Sequence, residues 1–253
     1  DNINVDLIYG LLTQSLGQWQ WNLKQALKLS PDHLSLYPLT LEESTPLGRA
    51  VEAGLMPAPD PDMAAEMYLW AEECLGAAGY EHYELSNWAR PGRCCRHNLT
   101  YWENRPYLGM GAGAHSFALG YRLANLAHPG EYISRLEEGR LPEAERELID
   151  QALELSETLI LGLRLVQGVD LQALERRLGE AAASLYGAEM EELHRVGLLE
   201  KDAHRWRLTP RGRLLGLGAG PAGRPAGPAA RARADAALHA RPGHRRGDQG
   251  PRP

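Results

Sequence analysis

The stretch Ile3-Asn4-Val5-Asp6-Leu7-Ile8-Tyr9-Gly10 decides the fold class of this 253-residue chain. It is a short apolar run closed by glycine, the form a strand takes in a parallel sheet covered on both faces. From Ser15 the period changes: Leu16, Trp19, Leu23 and Leu27 fall on one helical stripe, Ser15 is placed to cap the first turn, and Pro31 lies just beyond the last. Alternation in His33-Leu34-Ser35-Leu36-Tyr37 then predicts a second strand. Strand, helix and strand within about forty residues form a βαβ unit, whose crossover makes the strands parallel, so the chain reads as α/β.

Asp6 interrupts the first strand. A carboxylate there is costly to bury unless it accepts hydrogen bonds. Two readings stay open: an Asp held by backbone amides, and an Asp at a ligand-facing strand end, where hydroxyl-bearing ligands supply the donors.

Residues 42–59 are rich in Pro, Gly and small side chains and read as a surface connection. A second helix begins with Asp60 as cap and Pro61 in its first turn, carries Met63, Met67, Trp70, Cys74 and Leu75 inward, and ends before Gly79. Its methionines read as core filler rather than ligands. Tyr80 to Leu85 alternates like an edge strand, with His82 between Glu81 and Glu84 on a solvated face.

Farther along, Pro129 to Glu138 reads as a short helix closed by Gly139, inside a linker over 121–145. A long helix is expected from Glu147 to Val166, burying Leu148, Leu153, Leu159, Leu163 and Leu165. Helices over Asp170–Leu178 and Ser184–Val196 then lead into a hairpin through Leu199 and Trp206–Leu208. Helices ending in a hairpin predict a small, winged-helix-like module over 146–215. The last 38 residues, Gly216 to Pro253, are Gly, Pro, Ala and Arg with almost no core-forming side chains, the composition of a disordered tail.

The densest chemistry lies in Cys94-Cys95-Arg96-His97-Asn98-Leu99-Thr100-Tyr101-Trp102 and in Tyr107-Leu108-Gly109-Met110-Gly111-Ala112-Gly113-Ala114-His115-Ser116. His97 and Tyr101 are four apart, so on a helical turn they share a face and can address one ligand. Imidazole nitrogen and phenolate oxygen are both haem-iron ligands, which permits a haem site. The competing reading has His97 and Asn98 tying down a loop, with Tyr101 and Trp102 in the core. The glycine run matches G-x-G-x-x-A, but no apolar strand precedes it and no clear helix follows. It marks a place where backbone approaches closely, against another chain segment or a flat ligand.

Cys94 and Cys95 are adjacent and Cys74 is twenty residues upstream, so no CxxC or CxxxCxxC spacing occurs and no self-contained zinc or iron–sulfur site is expected. Unpaired cysteines suit a reducing cytoplasm. No apolar run approaches the ~20 residues of a membrane span, and the start lacks a signal-peptide pattern. The net charge of −6 hides an asymmetry: residues 216–253 hold seven Arg and two Asp, leaving 20 basic against 31 acidic residues in the body. Such a body argues against nucleic-acid binding.

The run from His97 to Trp102 with Tyr107 to Ser116 resembles the signature of the HemW family, haem chaperones of the radical SAM superfamily also known as oxygen-independent coproporphyrinogen III oxidase-like proteins. The resemblance extends through Asn4-Val5-Asp6-Leu7-Ile8-Tyr9-Gly10, Ser35 to Thr40, Glu43 to Leu47 and Gly79 to Asn87, and covers roughly residues 3 to 215. It implies that the first 120 residues are the C-terminal part of a partial (β/α)6 radical SAM barrel carrying the haem-associated H-N-x-x-Y motif. It implies haem binding by His97, as iron ligand, with Tyr101. Asp6 would contact the ribose hydroxyls of S-adenosylmethionine, and Thr40 and His115 match positions lining that cofactor.

The 4Fe-4S cluster and S-adenosylmethionine are expected only in a full-length relative, because the cluster motif and the first barrel strands are missing here. The family shows Gly-Leu-Pro where this chain has Gly10-Leu11-Leu12, so a rigid turn is absent at the cofactor end. Three functions are weighed: haem binding for delivery to respiratory haem proteins, with any membrane contact made through the recipient; radical decarboxylation of the coproporphyrinogen type; and a non-catalytic reading, either an inactive truncated remnant or an interaction module acting through the winged-helix-like end.

Overall fold

Asn4–Tyr9 (β1) and His33–Pro38 (β2) pair in parallel, Asn4 opposite His33 and Tyr9 opposite Pro38, with Leu16–Lys28 (α1) crossing between them. Ser15 and Gln18 close a capping box at the start of α1, satisfying backbone donors at that end of the helix. The computed structural model describes residues 2–179 and 185–217, all within one unit, Asp1–Gly218. Pro46–Glu52 (α2), capped by Thr45, occupies part of the expected surface connection. Pro61–Ala77 (α3) begins as expected, with Asp60 accepting from the amides of Asp62 and Met63.

Two antiparallel strands complete the first sheet: Glu81–Glu84 (β3) and Asn87–Ala89 (β4), in the order β1-β2-β4-β3. β3 is an edge strand, as its alternation predicted. β4 was not visible in the sequence because three residues are too few to show a period. The core beneath this sheet brings Trp19 and Leu23 of α1 against Met67, Tyr68 and Leu75 of α3, with Tyr9, Leu34, Leu36 and Trp88 from the strands. Two of its polar handles are satisfied, the Trp19 indole donating to the Met67 carbonyl at 3.0 Å and the Tyr80 hydroxyl to that of Pro31 at 2.6 Å, whereas the buried Trp88 indole N–H has no hydrogen-bond partner.

Arg96–Trp102 (α4) follows, then His115–Ala118 (β5), Tyr121–Asn125 (β6), Pro129–Glu137 (α5) and Glu143–Leu148 (β7). β5, β6 and β7 form an antiparallel sheet in that order, so residues 121–145, read above as a linker, are ordered by strand pairing. Their charge misled: β7 reads Glu-Ala-Glu-Arg-Glu-Leu and is exposed along nearly its whole length, giving no apolar alternation.

The expected long helix is shorter, Gln151–Gly162 (α6), because Asp150 caps it by accepting from the Leu153 amide at 2.8 Å. Leu148 therefore ends β7 and is exposed, contrary to expectation, while Leu155 and Leu159 are buried. Val169–Asp170 (β8), Leu171–Leu178 (α7), Gly187–Arg195 (α8), Leu199–Lys201 (β9), Arg205–Leu208 (β10) and Pro210–Leu217 (α9) complete the described chain. β8, β10 and β9 form a third antiparallel sheet, and Leu199 and Trp206 bury against Met190 of α8.

Helix α9 returns to the first core, where Leu214 and Leu217 pack and Arg213 reaches Glu72 of α3 at 2.6 Å. Ser184 and residues 218–253, the span of the expected tail beyond α9, lie outside the described residues. Among the described residues no helix is long and apolar enough to cross a membrane.

His82 is not on a solvated face. The register pairs it with Trp88 across β3 and β4, and the rings stack at 4.2 Å and 8°. Its Nδ1 meets Glu72 at 3.2 Å, so a helix that the local sequence does not reveal covers the histidine.

Candidate functional site

Helix α4 is two turns long, has no fully buried residue, and is held at both ends. At its start the N-cap residue Cys95 makes no side-chain cap, and the Tyr83 phenol of β3 ties that turn to the first sheet by accepting from Asn98 Nδ2 at 3.5 Å. At its end Asn104, only 2% exposed, adopts a left-handed φ of 47° and donates to Thr158 of α6 at 3.1 Å. Arg177 of α7 donates to the carbonyls of Glu103 and Asn104 at 3.1 and 2.7 Å, so a cation satisfies acceptors that the helix leaves open. Arg122 of β6 bonds Asn104 Oδ1 and Glu157, both at 2.7 Å, with its guanidinium 4.1 Å from the Phe117 ring centre.

On this braced helix His97 and Tyr101 share a face, as their spacing predicted. Their rings meet edge to face at 4.7 Å and 88°, with His97 exposed and Tyr101 half-buried. Tyr101 in turn meets Tyr107 at 4.6 Å and 78°, so the three rings form one ladder. Burial raises the Tyr107 phenol pKa against the opposing pull of Arg122, which keeps that hydroxyl neutral. Beside Trp102, the last residue of α4, a cleft of about 280 Å³ opens among Leu165, Val169, Arg177 and Arg205. His97 does not line that cleft and is itself exposed to solvent.

The glycine-spaced segment is pinned rather than loose. Tyr107 and Phe117 exchange backbone hydrogen bonds at 2.8 and 2.9 Å, and the Gly109 amide donates to Ser116 Oγ at 2.9 Å. A Cβ on Gly109 would lie 2.8 Å from the His115 carbonyl carbon and nearer still to its oxygen, so the close approach read from the sequence is to another chain segment. Beyond Tyr107 this loop presents Leu108 and Met110 to solvent, 75% and 90% exposed.

Asp6 is exposed in mid-β1 and its Oδ1 accepts from Asn4 Nδ2 at 2.6 Å; the bond is from a side chain on its own strand, not from backbone amides. Thr40 is exposed in the connection two residues beyond the end of β2. His115 is exposed at the first residue of β5, in the second sheet. The structure thus brings His97 and Tyr101 into contact, places Asp6 in β1 of the first sheet and Thr40 just past β2, and sets His115 in the second sheet.

Sequence reasoning missed the polar face shared by β1 and β2. The register sets Asn4 beside His33, Asp6 beside Ser35 and Ile8 beside Tyr37. His33 bridges Asn4 Oδ1 at 2.7 Å and the Tyr83 hydroxyl at 2.8 Å, and burial lowers its pKa. Nearby, Glu84 is fully buried, bonded by Asn87 and by the Ser86 amide, with Arg164 at 3.9 Å; burial raises its pKa. The alternation of His33, Ser35 and Tyr37 was the available signal, since period 2 puts all three on one face.

Comparison with known proteins gives three kinds of likeness. The HemN C-terminal domain family matches residues 149–215. The heme chaperone HemW of Lactococcus lactis is 35% identical over 217 residues, covering 85% of this chain and 56% of that protein. The heme chaperone HemW of Mycobacterium tuberculosis H37Rv is 38% identical over 214 residues, covering 85% and 53%. Radical S-adenosyl methionine domain-containing protein 1, mitochondrial, of Bos taurus is 37% identical over 221 residues, covering 80% and 48%. The chain spans about half the length of the curated relatives it matches. In structure it is similar to coproporphyrinogen III oxidase (HemN) from Escherichia coli, described as a radical SAM enzyme, with a TM-score of 0.67 and 20% identity over 84% of this chain and 52% of that one.

Proposed function

Because the chain belongs to the HemW-like family of radical SAM proteins, we propose that it binds haem on the exposed face of α4, with the His97 imidazole on the iron and Tyr101 beside it, and holds it for transfer to haem proteins. The observation that carries this reading is the exposed imidazole in edge contact with a phenol, on a helix braced at both ends. A neutral imidazole nitrogen is a strong haem ligand, and bracing keeps it aimed without closing a pocket over it. An open face suits a cargo that has to leave. Leu108 and Met110 give the macrocycle an apolar surface next to the ring ladder.

On this reading residues 1–120 form the C-terminal part of a partial (β/α)6 barrel, with β1 and β2 as wall strands. Residues 121–145 join it to a winged-helix-like module over 146–215. Asp6, Thr40 and His115 lie on the side of S-adenosylmethionine, a cofactor that, with a 4Fe-4S cluster, is expected in full-length relatives. Asp6 fits that role because its carboxylate is exposed and has acceptor capacity beyond its bond to Asn4. The recipients are cytoplasm-facing respiratory haem proteins, and nucleic acid is no partner.

The test is haem transfer. The haemin-loaded chain is mixed with an apo-haem protein, and the acceptor's spectrum is followed. Appearance of the reconstituted acceptor, with depletion from the donor, supports the reading; haemin that stays bound, or a chain that never takes it up, refutes it.

A further inference from the structure

Four hydrogen bonds run without a break from α4 to Asp6, and every donor points the same way. Asn98 Nδ2 donates to the Tyr83 hydroxyl oxygen at 3.5 Å. The Tyr83 hydroxyl meets His33 Nε2 at 2.8 Å, and His33 Nδ1 meets Asn4 Oδ1 at 2.7 Å. Asn4 Nδ2 donates to Asp6 Oδ1 at 2.6 Å. The directions are forced from the middle. An amide oxygen only accepts, so His33 Nδ1 carries the proton; burial keeps the ring neutral, so Nε2 accepts and the Tyr83 hydroxyl donates to it. The Tyr83 oxygen is then left to accept from α4, and the chain ends on a carboxylate. Bonds aligned in this way polarise one another, and each link strengthens its neighbours.

Here the chain joins two places that are separate in sequence and in secondary structure. One end is the residue next to His97 on α4, and the other is the exposed carboxylate of β1. His33 is its centre and is buried, at 7% exposure, where an imidazole without partners would be costly. We propose that His33 is a positioning residue that fixes the start of α4, and with it the direction of the His97 imidazole, to the Asp6 strand through Tyr83 and Asn98. The proposal rests on the haem reading of α4 and adds to it a physical link between the haem face and the cofactor face.

Tyr83→Phe removes one hydroxyl and keeps the ring, so it tests the link even where His33→Phe fails to fold. Haemin is titrated into the wild-type chain, Tyr83→Phe, His33→Phe and the double variant, with circular dichroism on each. Tyr83→Phe keeps the wild-type far-ultraviolet spectrum yet binds haemin about tenfold more weakly, a factor that corresponds to about 1.4 kcal/mol, and His33→Phe, which loses two bonds of the same relay, binds at least as weakly. The double variant is no weaker than the worse single, because both cut one chain. In Tyr83→Phe the iron electron paramagnetic resonance lines broaden as the imidazole direction spreads, which a loss of stability alone does not produce. Nitrogen-15 shifts of His33 report a proton on Nδ1. Wild-type affinity and line shape in Tyr83→Phe, with binding still lost in His97→Ala, overturn the positioning role alone, as does a proton on Nε2. Full haemin binding by His97→Ala overturns the haem reading and this proposal with it.

Discussion

Gly109→Ala is the sharpest test of how the Tyr107–Ser116 segment is built. The added methyl would lie 2.8 Å from the His115 carbonyl carbon and 3.0 Å from its nitrogen, all backbone atoms that no side-chain rotation can clear. The segment has to retreat by roughly 1 Å before ordinary contact is restored. That retreat stretches three bonds past hydrogen-bonding range: the pair exchanged by Tyr107 and Phe117, at 2.8 and 2.9 Å, and the Gly109 amide to Ser116 Oγ, at 2.9 Å. At a net ~1 kcal/mol each, the loss is about 2–3 kcal/mol. For a chain of this size that lowers the melting temperature by roughly 4–12 °C in a calorimetric or circular-dichroism melt. Gly17→Ala is the control, since nothing lies within 4 Å of the new methyl in α1, and it raises stability by about 0.5–1 kcal/mol. A Gly109→Ala melt indistinguishable from wild type refutes the close backbone approach.

Three further outcomes follow from named contacts. Trp88→Ala empties a fully buried site between Tyr68 and His82 and costs about 3–5 kcal/mol in urea unfolding, and a loss under 1 kcal/mol contradicts the packing described. Asn104→Ala removes the bonds to Thr158 and Arg122 and leaves a left-handed backbone without its favoured residue; it destabilises the chain by about 2 kcal/mol, read by the same unfolding measurement. His33 has a folded pKa below its unfolded value of 6.5, through burial outweighing the field of Asp6, with the Tyr83 phenol on its other side. Its contribution is therefore complete above about pH 6.5 and is lost as pH falls through the folded pKa, because only the unfolded chain takes the proton in that window. Urea titrations across that window show a slope in the wild type that is reduced in His33→Phe; equal slopes refute the assignment.

The βαβ start was legible because three separate signals agreed: the run from Ile3 to Tyr9, the 3.6-residue stripe through Trp19 and Leu23, and the alternation from His33 to Tyr37. Capping residues also read true, since Ser15 and Asp60 act through atoms two or three residues away. The segment at 121–148 did not, because β6 and β7 are held by backbone pairing and carry charged side chains, and Leu148 sits exposed at a strand end. His82 was misread for the same kind of reason: its partners, Trp88 and Glu72, come from another strand and another helix. At the candidate site the spacing of His97 and Tyr101 sufficed to place them together, whereas the clamps from Arg122, Arg177 and Tyr83 are long-range and leave no local pattern.

The central claim is that an imidazole and a phenol on α4 receive an iron macrocycle. Haemin titrated into the wild-type chain and into His97→Ala, with the Soret band recorded throughout, tests it most directly. The account predicts a saturable shift in the wild type that is largely lost in the variant, while both proteins keep the same far-ultraviolet spectrum. Identical Soret shifts and saturation in the two proteins contradict it.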